Sequence, residues 1–210
     1  MQRRQFIVSG SAGLSALALP ALSQAQGRPV EGQQYLKLST PLPGVAADGE
    51  VIEFFSYTCP HCHAFEPTLG QWVARKPAKV QFRRVPVVIN AIAKVTQKVY
   101  YALEAMGQVE ALHAQVFNAV QGDLSKFQTI ESAQAALVKM GVDGARFKQV
   151  AESFGVQSKC QQATNLAQAI TSHGVPTLVI NGRWVTSPSI AKGYPEALAA
   201  IDHTLTLPRA

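Results

Sequence analysis

The segment from Val51 to Val88 constrains this chain more than any other. Val51-Ile52-Glu53-Phe54-Phe55-Ser56 is a continuous β-prone run, the pattern of a strand buried on both faces. Two cysteines, Cys59 and Cys62, follow it almost at once. From about His61 to Ala74, the apolar residues Phe65, Leu69, Trp72 and Val73 recur at helical spacing, and Pro77 ends the segment. The stretch from Val80 to Val88 then reads as another strand. Strand, helix and strand joined this closely form a βαβ unit, so the two strands are expected to be parallel and the fold class α/β.

The rest of the chain divides around this unit. Tyr35-Leu36-Lys37-Leu38 reads as a first strand, broken by Pro41, Pro43 and Gly44. From Ala91 to about Ser172 the pattern is almost wholly helical. One apolar stripe holds Val95, Val99, Tyr100, Leu103 and Met106; another holds Leu112, Val116, Phe117 and Val120. A third, Ala135, Ala136, Leu137 and Met140, is closed by Gly141. Asp143 is placed to cap the next helix, expected to end at Gly155, and Ser158-Lys159-Cys160-Gln161 has capping-box spacing for one more. Strand character returns at 175–180. Asn181-Gly182 is a two-residue hairpin signal, Arg183 to Thr186 the partner strand, and Pro195 to Leu205 a last helix. The expectation is an α/β domain from 26–90 and 173–210, with 91–172 as a helical insertion. There is no internal repeat.

Residues 1–25 belong outside the fold. Arg3 and Arg4 precede a short apolar run, Phe6 to Pro20, and Ser23 and Ala25 have the spacing that signal peptidase reads, so cleavage is expected after Ala25. The run is shorter than the about 20 residues a membrane-spanning helix needs. Arg3-Arg4-Gln5-Phe6-Ile7 is also similar to a twin-arginine export signal. Without this segment, 17 basic residues stand against 13 acidic ones, a net charge of +4 with no run of like charge. That pattern does not indicate nucleic-acid binding. Three cysteines are too few, and odd in number, for a structural disulfide framework in an exported chain.

The chemistry centres on Cys59-Pro60-His61-Cys62. A thiolate, not a thiol, attacks a disulfide. After a buried strand and at the start of a helix, Cys59 meets unpaired backbone N–H groups and the positive end of the helix dipole. Cys62, one turn further in, is the more shielded sulfur. Pro60 suits a first helical turn because it has no N–H to orphan there. His61 adds positive charge or a hydrogen bond. Stabilising the thiolate stabilises the reduced pair, so the disulfide is expected to act as an oxidant through Cys59.

Other uses of these residues compete. Cys59-Pro60-His61-Cys62-His63 also fits covalent attachment of a c-type haem, although a βαβ crossover is an unexpected place for one. Cys59, His61, Cys62 and His63 could ligate a metal, but all lie within five residues, whereas a closed zinc site draws its second pair from elsewhere. A purely structural disulfide across so small a ring removes little chain entropy. An isomerase or reductase built on the same scaffold is the remaining alternative. No metal or other cofactor is expected beyond the dithiol itself.

Cys59-Pro60-His61-Cys62 after Glu53-Phe54-Phe55-Ser56, the helical insertion, and Gly174-Val175-Pro176-Thr177 before the last strands together resemble the DsbA family of periplasmic dithiol oxidases. The resemblance spans essentially the whole chain after residue 25 and implies a thioredoxin-like fold. It implies unfolded exported proteins with free cysteines as substrates and a DsbB-type, quinone-linked membrane protein as the partner that reoxidises the pair. In this family the proline matching Pro176 is cis and lies against the dithiol, with Val175 as the substrate-facing neighbour; sequence alone favours a trans proline. Glu53, which interrupts an apolar strand, is implied to handle protons near the buried sulfur, with a basic partner at the position of Arg84. A lysine is more usual there; arginine does not release its proton, so a lysine-like proton role is not expected of it. Glu66, two helical turns after Cys59, is either a tuning group for the same site or a solvated helix residue. Cys160 shares a helix face with Ala163, Ala167 and Ile170 and reads as a buried inert thiol, the alternative being an exposed thiol able to dimerise the protein or form mixed disulfides. His113, His173 and His203 read as structural or surface residues, His173 lying near Pro176.

Overall fold

The structure is a computed structural model that describes residues 27–45 and 49–208; the export signal expected at 1–25 lies outside the described residues. In chain order the elements are β1 (Leu36–Lys37), β2 (Glu50–Phe55), α1 (Pro60–Arg75), β3 (Gln81–Pro86), α2 (Ala91–Ala105), α3 (Val109–Gly122), α4 (Ile130–Val138), α5 (Gly144–Ala151), α6 (Phe154–Ala167), β4 (Thr177–Ile180), β5 (Trp184–Thr186), α7 (Pro188–Ala191) and α8 (Tyr194–Thr204). The strands form one mixed sheet in the order β1-β5-β4-β2-β3. Among the described residues, no helix is long and apolar enough to cross a membrane.

The apolar run at 50–55 follows from where β2 sits. It is flanked by β3, running parallel with Glu53 opposite Arg84, and by β4, running antiparallel. Both faces are covered as well, and all six residues are buried. On one face α1 contributes Phe65, Leu69 and Trp72, and α8 contributes Ala197, Leu198 and Ile201, against Val51, Leu178 and Ile180. On the other, Ile52, Phe54, Val179 and Val185 join the large core of the helical insertion. The Trp72 indole N–H donates to Asp202 at 2.8 Å, which ties α1 to α8.

Turn and cap chemistry places most boundaries. Asn181 and Gly182 both have positive φ (52° and 65°), the type I′ requirement, and they join antiparallel β4 and β5. Asn90, Thr129 and Asp143 cap α2, α4 and α5 through side-chain oxygens. Two expectations fail nearby. Helix α5 ends at Ala151 rather than Gly155, and α6 starts from Ser153, whose hydroxyl accepts from the Val156 N–H at 3.3 Å. Gly155 and Ser158 therefore lie inside α6, and the Ser-x-x-Gln spacing at 158–161 caps nothing. Strand β3 is also shorter than the apolar run, because Val88 and Ile89 stand exposed in the loop to α2. Helix α7 was not anticipated.

Candidate active site

Cys59 is the N-cap of α1. Its backbone is extended, and its sulfur accepts from the Cys62 N–H at 3.4 Å. Pro60 occupies the first helical turn, and both Pro60 and His61 are exposed. Cys59 is 5% exposed and Cys62 fully buried, so Cys59 is the sulfur that a partner reaches. Both cysteines are free thiols here. The thiol hydrogen bond from Cys62 lowers the Cys59 pKa from 9.0 to about 6; the Cys62 and His61 backbone N–H groups and the His61 charge help, while burial opposes. Burial pushes the Cys62 thiol far upward, and its own bond to Cys59 adds to that. The two sulfurs are therefore tuned apart: one is a thiolate near neutral pH, the other a firm thiol.

Pro176, distant in sequence, reaches the dithiol. The Val175–Pro176 peptide bond is cis, and the Val175 carbonyl lies 3.5 Å from Cys59 Sγ. Below the dithiol is a buried charge cluster. Arg84 donates from Nε to Glu53 Oε2 at 3.0 Å and from Nη2 to Glu66 Oε1 at 2.7 Å. Glu66 is thus not a solvated helix residue; only 12% of its side chain is exposed. Burial raises the Glu53 pKa to about 8, with Arg84 pulling it down and Glu66 and Cys59 adding to the rise. Burial also raises Glu66, again against Arg84.

Several residues at this site carried no sequence signal. The Tyr57 hydroxyl is 2.8 Å from His113 Nδ1, and His113 Nε2 is 3.4 Å from Glu66 Oε2. His113, read above only as structural or surface, is buried under the site; burial, with Arg84 beside it, holds its pKa down at about 2. Phe117 packs against Tyr57, Phe55 and His113 at ring separations of 4.8, 5.6 and 5.0 Å. His63 stacks on Phe117 and bonds to Asn118 through Nε2 at 2.7 Å. The insertion helix α3 therefore forms one wall of the site, and only its apolar stripe was legible. Cys160 is half-buried rather than fully buried, with burial raising its pKa to about 11. His173 is half-exposed, and His203 packs on Tyr35.

Residues 50–192 match the DSBA-like thioredoxin domain family. The thiol:disulfide interchange protein DsbA of Bordetella pertussis is 35% identical over 207 residues, covering 98% of this chain and 96% of that one. The Pseudomonas aeruginosa protein of the same name is 37% identical over 181 residues, 85% of each chain. Its crystal structure aligns with a TM-score of 0.78 at 36% identity, covering 84% of this chain and 93% of that one. The oxidoreductase DsbA from Xylella fastidiosa aligns with a TM-score of 0.76 at 28% identity over 85% of this chain and 97% of that one. These relatives favour neither the haem nor the metal reading, and His63 is already engaged by Asn118. The chain belongs to the DSBA-like family, has its thioredoxin-like fold with a helical insertion, and is a thiol–disulfide oxidoreductase.

Proposed function

We propose that the oxidised Cys59–Cys62 pair donates its disulfide to exported polypeptides that carry free cysteines. The observation that carries this reading is the place of Cys59 at the N-cap of α1, where its sulfur accepts from the Cys62 N–H at 3.4 Å while Cys62 is fully buried, an arrangement that lowers the proton affinity of Cys59 and raises that of Cys62. A fold that stabilises the Cys59 thiolate stabilises the reduced enzyme, and its disulfide is correspondingly oxidising.

The exchange runs as follows. A substrate thiolate attacks Cys59 Sγ, forming the mixed disulfide as the Cys59–Cys62 bond breaks and its electron pair leaves on Cys62. Cys62 then takes a proton, and Glu53, buried beside it and still protonated near neutral pH, is the donor. A second substrate thiolate attacks the substrate sulfur of the mixed disulfide and expels the Cys59 thiolate. Two electrons have moved from substrate to enzyme. Val175 and Pro176 border Cys59 where an extended substrate segment would lie. Pro60 and His61 border it from the helix side, and Arg84 holds the carboxyls in place. The dithiol needs no further cofactor for this chemistry.

Reoxidation belongs to a quinone-linked membrane protein of the DsbB type, and the compartment to the periplasm. The Arg3-Arg4 leader with its small residues at Ser23 and Ala25 supports cleavage after export, by a twin-arginine or a general route. Equilibration of the dithiol with glutathione, in a Cys160→Ser background, tests the donor reading. The expected reduction potential lies well above the about −270 mV of thioredoxin; a value at or below that figure overturns it.

A further inference from the structure

Arg84 holds one oxygen of each carboxyl and leaves the other, Glu53 Oε1 and Glu66 Oε2, buried without a hydrogen-bond partner among the described residues. Glu66 Oε2 faces His113 Nε2, likewise buried and unpartnered, at 3.4 Å. The other nitrogen of the same imidazole is 2.8 Å from the Tyr57 hydroxyl. Tyr57 is itself buried, its backbone carbonyl accepts from Gln121 at 2.7 Å, and its ring lies against Phe117 and Phe55. His113, on α3, thus reaches the Glu66 oxygen that Arg84 does not hold, and Tyr57, on the turn before Cys59, holds the far side of its ring.

We propose that His113 is a positioning residue: oriented by Tyr57, it turns an N–H toward Glu66 and thereby decides which of the two carboxyls, Glu66 or Glu53, carries the proton they share across Arg84. This rests on the reading above, in which Glu53 supplies the proton that Cys62 takes up.

The tautomer follows from the chemistry. The phenol of Tyr57 is held protonated by its burial, so its hydroxyl can donate to Nδ1. A neutral imidazole then carries its proton on Nε2, the atom that faces Glu66. Because His113 stays neutral throughout the accessible pH range, this orientation does not change as the carboxyls titrate. The groups around Glu66 are Arg84 and Glu53 from the sheet, His63 from its own helix, Glu110 and His113 from α3, and Tyr57; Tyr100 of α2 lies beyond Tyr57. Among these, Arg84 and the His113 N–H favour the Glu66 carboxylate, and so does His63 when charged; Glu53 and Glu110 oppose it. An ionised Glu66 in turn raises the proton affinity of Glu53.

The test is an NMR titration of isotope-labelled glutamate carboxyls in the oxidised protein, where neither active-site sulfur titrates. Glu53→Gln and Glu66→Gln supply the assignments. In His113→Phe, which keeps the ring and removes both nitrogens, the Glu66 midpoint should rise by about one pH unit, the low end for losing a donor to a charged group. The Glu53 midpoint should fall. His113→Gln, which can still accept from Tyr57 and donate to Glu66, should restore most of both. Tyr57→Phe frees the imidazole to turn its lone pair toward Glu66, so its Glu66 midpoint should move in the same direction by less. Unchanged midpoints in a folded His113→Phe overturn the proposal. Should that variant not fold, an unchanged Glu66 midpoint in Tyr57→Phe does so instead. Carboxyl titration needs no turnover, so a failure here is distinct from a failure of the donor reading, which the reduction potential reports.

Discussion

Relative to the oxidised enzyme, in which Glu53 also titrates, the reduced enzyme should gain stability with rising pH in a window set by Cys59. Its pKa is about 6 in the folded protein against an ordinary 9.0, so between these values the folded state binds fewer protons than the unfolded one. A depressed pKa contributes stability that is complete above the unfolded value and lost as pH falls through the folded one. At pH 7 the contribution is about 1.4 kcal/mol, and at pH 8 about 2.7 kcal/mol. Cys59 sits at the mouth of the site, and solvent screening trims these figures to between about half and all of their size. Cys62 acts in the opposite sense. Its folded pKa is raised, so its contribution is present below 9.0 and lost above it, and the curve should turn over near pH 9. Urea unfolding of reduced and oxidised protein across this range measures the effect, because the difference between the two forms cancels most groups that titrate in both. Glu53 holds its proton more tightly once Cys59 is charged, which broadens the transition without moving its direction. The reduced form should gain on the oxidised form from about pH 6 upward, and Cys59→Ser, which has only a reduced form, should lack that rise when compared with the oxidised wild type. A difference that is flat from about pH 5 to pH 8 would refute a thiolate stabilised by the fold.

Further outcomes follow from the same geometry. At pH 7 iodoacetamide should modify Cys59 far faster than Cys62 or Cys160, whose proton affinities are raised; mass spectrometry of the first-labelled peptide decides it, and early label on Cys160 would contradict the assignment. Arg84→Met should cost about 3–5 kcal/mol, because two buried carboxyls that share one negative charge lose their common cation, and adding Glu53→Leu should recover a large part; a double variant no more stable than the single one would argue against a shared charge. Phe117→Ala should cost about 3–5 kcal/mol in urea unfolding, since its fully buried ring fills the space between Tyr57, Phe55 and His113; a loss under about 1 kcal/mol would mean that the wall collapses to fill the space.

What could be read in advance was whatever short-range pattern encodes. The buried run at 51–56, the helix after the cysteines and the Asn181-Gly182 hairpin each depend on neighbours within a few residues, and each is where the pattern placed it. The α5–α6 boundary was misplaced because Ser153 and Ser158 both offer a capping side chain, and the backbone turns only at Ser153. Glu53 could be noticed because an acid in an apolar strand is conspicuous. His113 could not, because a histidine on a helical apolar stripe looks the same whether it faces a leucine or a carboxylate. Its meaning depends on α3 packing on α1, a contact between residues 47 positions apart in the case of Glu66. The closeness of Pro176 to Cys59 is of the same kind: resemblance implied it, while local sequence pointed to a trans proline.

An arginine rather than a lysine at position 84 has a consequence that the cluster makes concrete. An ammonium is a point charge that can lose its proton and serve as a carrier; a guanidinium at this site cannot. What Arg84 offers instead is a planar fork, and it uses two nitrogens to hold two carboxyls at once. One fixed positive charge then faces two acids, so the neutral cluster contains one mobile proton, and that proton must reside on Glu53 or Glu66. On the proposed role of Glu53, proton supply to Cys62 falls to a pair of acids whose relative affinities are set by their other neighbours. For Glu53 those neighbours are the redox sulfurs. For Glu66 they are Glu110 and His113 on α3, with His63 on its own helix. The helical insertion is in this way coupled to the dithiol electrostatically as well as by packing, and a change in α3 that leaves every contact with the sulfurs untouched can still alter how readily Cys62 is released.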